Sequence, residues 1–462
     1  MAFWKKDPLE SGLKEILGPE GLLCEKADVV CYGFDSSGLE AEPHLVALPE
    51  SIEHVRKIAR LCNRLGIPLV PRGGGSSTTG SAVPVRGGVV LSFSRMKRIL
   101  RIDPVELTAR VEPGVVTGVL QEEVEKLGLF YPPDPASLRF CTIGGNVATG
   151  AGGARAVKYG VTKDYVRRLK VVLSDGSLIH TGAETAKGVS GYDLTHLFVG
   201  SEGTLGIVVE ILLRLLPLPE AVGTAVALFD DLEAAVEAVT CLFTSGILPR
   251  CAEFLDKNTL FAVSRALPFE VPEEARAFLL LELDGERSSV KSQLSGLRAC
   301  LKKVGAIKVL EARDAKERKR LWEVRRSVSP ALKGLGYDRK ISEDICVPRR
   351  AIKAMLSYLK EIQPLYPVDI FTFGHLGDGN LHVNLLFNSN ELDEQGLDGL
   401  IKKIMKRCLE LGGTISGEHG IGLTKMKYLG LELSSRVVGL ERQIKKVFDP
   451  KGILNPGKIF EE

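Results

Sequence analysis

Seven histidines occur in a chain of 462 residues, and two of them, His375 and His382, stand in the short stretch FGHLGDGNLHVN. A third, His419, follows Glu418 in SGEHGIG. Histidine titrates near neutral pH and is the commonest metal ligand, so three readings are open: a metal site, a general base, or core histidines beside a glycine turn. FTFGH and HVNLLF read as strand arms, with LGDGNL as the loop between them. A hairpin of that shape sets positions 375 and 382 opposite each other on one face, with Cα atoms roughly 4.5–5.5 Å apart. Asn384, two residues beyond His382, shares its face. Two imidazoles with Glu418 as a carboxylate third ligand form an open site for a borderline divalent ion. Either histidine alone would more often be a satisfied core residue; the pair with a carboxylate shifts the balance toward a metal.

A second group of residues lies some three hundred positions earlier. PRGGGSSTTGSAV carries four glycines and five hydroxyl residues between Arg72 and Ser81. Successive backbone N–H groups in such a turn make an anion-binding nest, and the hydroxyls add donors, which suits a pyrophosphate. The loop is neither GxxxxGK[ST] nor a GxGxxG that opens a helix, which disfavours a P-loop ATPase and a Rossmann site. PPDPASLRFCTIGGNVATGAGGARAVKYG has six glycines between Gly144 and Gly160. GSEGTLGIVVE then runs straight into a strand. Glycine-dense loops cost conformational entropy, so three of them within one region are hard to read as linkers.

These loops need elements to hold them. HLVALP reads as a strand, and ESIEHVRKIARLCNRLG as a helix ending at Gly66. LKVVLSDGSLIHTG is a hairpin turning at Asp175–Gly176, and LGIVVEILLRLLPLP, with Glu210 and Arg214 inside it, is a buried strand and not a membrane span. The composition changes near LPLPEAVG. Beyond it TAVALF, DDLEAAVEAVTCLFTSG, CAEFL, AFLLLEL, SSVKSQLSGLRACLKKVG and AIKVLEA alternate as strand, helix, strand, strand, helix, strand, a ferredoxin-like order. Helices follow at about 314–335, 349–364 and 392–411. The fold class is α+β, in two domains: 1–217 completed by 441–462, and 218–440.

Bulk properties exclude several classes. Hydrophobic residues make up 44% and charged residues 26%, the profile of a globular chain of more than one core. A net charge of +3 without a basic, aromatic-interleaved stripe gives no footprint for nucleic acid. Nine cysteines without a CxxC argue against a disulfide framework and an internal iron–sulfur site, and make the cytoplasm the expected compartment. The opening MAFWKKDPLESGLKEILG has no apolar core long enough for a secretory signal.

Taken together, the glycine loops with GHLGDGNLH, GEHGIG and FDPKGILNPGK resemble the flavin-linked 2-hydroxy acid dehydrogenases. That group includes the glycolate oxidase flavin subunit and FAD-dependent D-lactate dehydrogenase, and has the vanillyl-alcohol-oxidase-type FAD fold. The resemblance runs from about 44 to 460. It implies that the first loop, Arg72, Gly73, Gly74, Gly75, Ser76, Ser77, Thr78, Gly80 and Ser81, cradles the FAD pyrophosphate. Pro133, Asp134, Ser137, Gly144, Gly145, Asn146 and Tyr159 would lie along the flavin, Glu202, Gly206 and Ile207 near the adenine and ribose, and Asn455 against the cofactor. Some similar enzymes attach FAD covalently through a histidine of the first loop; none lies between Arg72 and Ala82, so the FAD is expected to be non-covalent. In similar enzymes His375, His382 and Glu418 would hold a divalent metal, often zinc.

Oxidation of a 2-hydroxy acid removes a hydroxyl proton and a hydride from one carbon. His419 suits the base, and a nearby cation would acidify the hydroxyl. The substrate carboxylate needs a cationic partner. LWEVRRSVSPALKGLGYDRKISED offers Arg325, Arg326 and Lys340, with Arg325 and Ser329 one helical turn apart; Arg325, Ser329, Lys340 and Asn384 are the expected substrate residues. His44, His54, His180 and His196 belong to no constellation. The expected activity is oxidation of D-lactate or glycolate to the keto acid, the second domain acting as a cap over the flavin. The rivals are oxidation of a larger acid such as D-2-hydroxyglutarate, a metallohydrolase on the His/His/Glu set, and a non-catalytic FAD-docking subunit. Reduced flavin needs an acceptor, so the expected partner is an iron–sulfur subunit or an electron-transfer flavoprotein, through which any membrane association would run.

Overall fold

Ser51 accepts from the backbone of His54 and starts the helix Ile52–Leu65, which stops at Gly66 as its sequence predicts. Its apolar stripe, Val55, Ile58, Ala59, Leu61 and Cys62, packs on Leu45, Leu69 and Val89 of the neighbouring strands. Each large apolar side chain buried this way contributes about 1.5–3 kcal/mol. These elements come from a computed structural model that describes residues 6–461; the first five residues of the opening segment lie outside the described part.

The chain divides into two units. The first comprises residues up to 152, then 161–218 and the tail from 418; the second comprises 153–160 and 219–417. The boundary near LPLPEAVG falls one residue from its expected place. The second boundary is a correction: it lies at 417/418, not at 440/441. The reason is hydrogen bonding. The Thr79 carbonyl accepts from Leu423 N at 2.7 Å, and Glu202 accepts from Ile421 N at 2.7 Å, which ties the His419 loop into the first unit.

The first unit has a four-stranded sheet in the order Leu22–Leu23, Leu45–Ala47, Val89–Ser92, Leu69–Arg72. It also has a five-stranded antiparallel sheet in the order Ile99–Asp103, Thr108–Val111, Ile207–Arg214, Val166–Val172, Leu178–Gly182. The Asp175–Gly176 hairpin and the buried strand Ile207–Arg214 are where the sequence places them. The tail adds the helix Ser435–Phe448 and a bridge from Leu454 to Leu69.

The second unit is built on one seven-stranded antiparallel sheet. Its order is Lys308–Glu311, Ala221–Phe229, Ala277–Gly285, Cys251–Leu255, Asp369–His375, Asn380–Phe387, Arg339–Cys346. The first four strands, taken in sequence, stand fourth, first, third, second: the ferredoxin-like arrangement expected. The strand Arg339–Cys346 extends the sheet beyond the hairpin. On one face the helix Ala315–Lys333 seats Leu321, Val324, Val328 and Leu332 over Leu255, Phe278, Phe371, Phe373 and Leu386. Among the described residues no helix is long and apolar enough to cross a membrane.

Candidate active site

In the first unit the three glycine loops converge on one cleft with about 1300 Å³ of empty volume, open mouth included. Arg72 to Thr78, Ser81, Ser137, Gly144, Gly145, Asn146, Glu202 and Gly206 line it, together with Glu418 and His419. Side chains are excluded from part of this wall. A Cβ on Gly74 would stand 2.3 Å from the Phe140 carbonyl oxygen, so the first two loops touch backbone to backbone. Arg72 props the first loop from beneath: its guanidinium donates to Phe34 O at 2.7 Å, and burial pulls its pKa down. The result is a wall of bare N–H groups and hydroxyls, a donor set that fits a pyrophosphate.

The remaining expected flavin residues do not line this cleft. Pro133 is buried, its carbonyl accepting from Gln121 at 2.8 Å, and Asp134 is half-buried beside it. Gly80 packs on Leu423, and Ile207 belongs to the core. Asn455 acts at one remove, its side-chain amide donating to Ser81 O at 2.9 Å and Glu202 O at 2.7 Å. Tyr159 belongs to the second unit, where its hydroxyl donates to Asp284 at 2.8 Å. Lys158 and Arg250 surround the same carboxylate.

Glu202 does more than its sequence position indicates. Its buried carboxylate accepts from Ser81 Oγ at 2.7 Å, Ile421 N at 2.7 Å and Gly422 N at 2.9 Å. Burial raises its pKa, and these neutral donors oppose the rise without cancelling it. The backbone pays a strain, with φ at +51°. Thr79 Oγ1 adds a bond to His419 O at 3.3 Å. One carboxylate thereby joins the first glycine loop, the GSEGTLG turn and the loop carrying His419.

The histidine hairpin of the second unit forms, with one correction of register. His375 pairs with Asn380, and His382 pairs with Phe373. The two histidines are diagonal neighbours, not directly opposed, because the tight turn closes with Gly379 N on His375 O at 3.0 Å. Both rings still share a face, 5.2 Å apart between centroids and inclined at 85°. Asn384 is fully buried on that face and donates to Phe371 O and His382 O; among the described residues its Oδ1 has no hydrogen-bond partner.

Two carboxylates that sequence reading missed stand behind the rings. Glu253 lies directly across from His375 in the sheet, and His375 Nδ1 donates to it at 2.5 Å. The other carboxylate oxygen accepts from Arg325 Nε at 2.8 Å. Burial pushes the Glu253 carboxyl up, but His375 and Arg325 outweigh it and hold it below the ordinary value. Asp344, across from His382, places Oδ1 3.7 Å from His382 Nδ1 and accepts from Asn380 at 2.6 Å. The Glu253 carboxylate on His375 Nδ1 leaves the Nε2 lone pair of that ring to a metal, which fits a divalent ion. The signal was present: a lone acid inside CAEFL and a pair inside ISEDIC are costly to bury without partners.

Arg325 is buried, its guanidinium carbon 4.6 Å from the Phe373 ring centroid. Ser329 is exposed and accepts from Lys340 Nζ at 3.3 Å. Burial, then Lys333, lowers the Lys340 ammonium to about 8. Arg326 is exposed near Trp322. His44, His54, His180 and His196 all sit in local hydrogen bonds.

Residues 218–459 match the family of FAD linked oxidases through its C-terminal domain, and residues 43–182 match the FAD binding domain. The chain belongs to the FAD-linked oxidases. It is 41% identical over 450 residues to the glycolate oxidase subunit GlcD of Bacillus subtilis, covering 97% of this chain and 96% of that one. It is 37% identical to the D-lactate dehydrogenase of Anaerostipes hadrus, covering 91% and 90%. Among solved structures, p-cresol methylhydroxylase with substrate bound superposes with a TM-score of 0.81 at 19% identity, over 99% of this chain and 97% of that one. That likeness bears on the fold, which is the FAD-oxidase type expected. As an FAD-linked oxidase the chain is an oxidoreductase that binds FAD.

Proposed function

We propose that the protein oxidises a small 2-hydroxy acid, D-lactate or glycolate, to the 2-keto acid. The observation that carries this reading is the FAD cleft with His419 in its wall, held there through Thr79 and Glu202. FAD bound in the cleft would supply the hydride acceptor. His419 accepts the hydroxyl proton. Arg325 binds the carboxylate through its Nη edge, since Glu253 engages only Nε. Lys340 adds a second cation. His375, His382 and Glu418 would hold a divalent ion, whose charge would lower the hydroxyl's pKa. The names of the relatives, a glycolate oxidase subunit and a D-lactate dehydrogenase, support this substrate class.

The deciding experiment is anaerobic: the purified flavoprotein is mixed with glycolate, D-lactate or D-2-hydroxyglutarate, and the flavin absorbance is followed. Bleaching by glycolate or D-lactate is expected. Bleaching by 2-hydroxyglutarate alone points to the larger acid, whose second carboxylate the Arg325 and Lys340 pair would serve. No bleaching by any of the three overturns the reading. Electrons then pass to a separate protein, consistent with the word subunit in the name of the Bacillus relative. Rapid reoxidation by O₂ alone, with no acceptor protein co-purifying, would count against that partner.

A further inference from the structure

We infer that Glu253 is a positioning residue that couples the metal site to the substrate's carboxylate site through one shared side chain. This rests on the function proposed above. Glu253 is buried in the strand Cys251–Leu255, directly across from His375. One oxygen takes the His375 Nδ1–H at 2.5 Å and the other takes Arg325 Nε–H at 2.8 Å. A carboxylate only accepts, so it fixes His375 in the tautomer whose Nε2 carries the lone pair for an ion. The same group sets the rotation of the guanidinium, which Phe373 also holds from its face at 4.6 Å. Metal ligand and substrate anchor are therefore aligned together or misaligned together.

An amide at this position fails on one side whichever way it turns. With its NH₂ toward His375, the ring must accept at Nδ1 and carry its proton on Nε2, which blocks the metal. With its NH₂ toward Arg325, two donors face each other and the guanidinium is displaced. Glu253→Asp keeps the charge but is one methylene too short to span both partners. Arg325→Lys keeps the cation and touches no metal ligand, yet removes the Nε–H.

The test measures Zn²⁺ affinity by chelator competition, and KM and kcat for the hydroxy acid, on flavin-loaded wild type, E253Q, E253D and R325K. Expected are a Zn²⁺ Kd weakened about 10–100-fold in E253Q, a several-fold weakening in E253D and R325K, and a raised KM in all three. A Zn²⁺ Kd within twofold of wild type in R325K overturns the coupling, and that variant decides the matter even where E253Q fails to fold. If the wild type binds no divalent ion or oxidises no 2-hydroxy acid, the proposed function itself falls. If it does both while the variants keep its Zn²⁺ affinity, the coupling alone is wrong.

Discussion

Glu202 in the first unit and Glu253 in the second are both buried, at 4% and 1% exposure, and both lie at the centre of a hydrogen-bonded cluster. Their surroundings differ in kind. Glu202 is hydrogen-bonded by a hydroxyl and two backbone N–H groups, with Lys458 helping through its charge without an ion-pair contact, and burial still leaves its pKa raised. Glu253 is held by an imidazole and a guanidinium, and its pKa is lowered despite the same burial. Neutral donors can fasten a loop while remaining replaceable; a cation in a dry interior leaves a stranded charge when its partner goes. The first unit thus uses its acid as a clasp between backbones, and the second uses its acid as a counter-charge. The two also respond oppositely to pH. Stability from Glu253 is present above the ordinary carboxylate range and is lost as pH falls through its depressed value. The cost of burying ionised Glu202 is relieved as pH falls through its raised value.

The sharpest way to break this contrast is E253Q, which should destabilise the protein by about 3–5 kcal/mol in denaturant unfolding because the Arg325 charge is left buried without its counter-charge. A loss below 1 kcal/mol would remove the distinction. Next comes G422A. Gly422 has φ +51° and a Cβ there would stand 2.2 Å from Thr79 O, so the His419 loop must lift off the first glycine loop. A stability loss of about 1–3 kcal/mol is expected, with kcat falling more than FAD content measured from the absorbance spectrum. E202Q should cost less than about 1 kcal/mol, since its amide oxygen can keep both backbone donors while its NH₂ donates to Ser81. The smallest effect concerns pH. Lys340, lowered to about 8, loses its charge above that pH, so KM for the acid should rise there while kcat changes less. In K340R the rise should disappear.

Much of this was legible in the sequence, for definite reasons. The helix Ile52–Leu65, the Asp175–Gly176 hairpin and the ferredoxin-like strand order announced themselves because periodicity, caps and turn residues all agreed. The strand Arg339–Cys346 did not: it carries buried charge on both faces, Glu343 on one and Asp344 on the other, so it shows no alternation. The hairpin register slipped because the two histidines invited direct pairing, whereas Gly379 closes the turn earlier. Glu253 and Asp344 went unread because their partners, His375 with Arg325 and Asn380, are distant in sequence. The domain boundary at 417/418 depended on hydrogen bonds from Ile421 and Leu423 that no composition change marks.

The split layout of the first unit has a consequence for biosynthesis. Residues 219–417 emerge from the ribosome as one stretch and hold nearly all of the second unit, whereas the strand Leu69–Arg72 waits for Leu454 to complete its edge. At about 5–20 residues per second that wait lasts tens of seconds. The half translated first is therefore the half finished last, and a nascent chain stalled before residue 418 would carry a completed second unit and a first unit still lacking the tail that bridges Leu69.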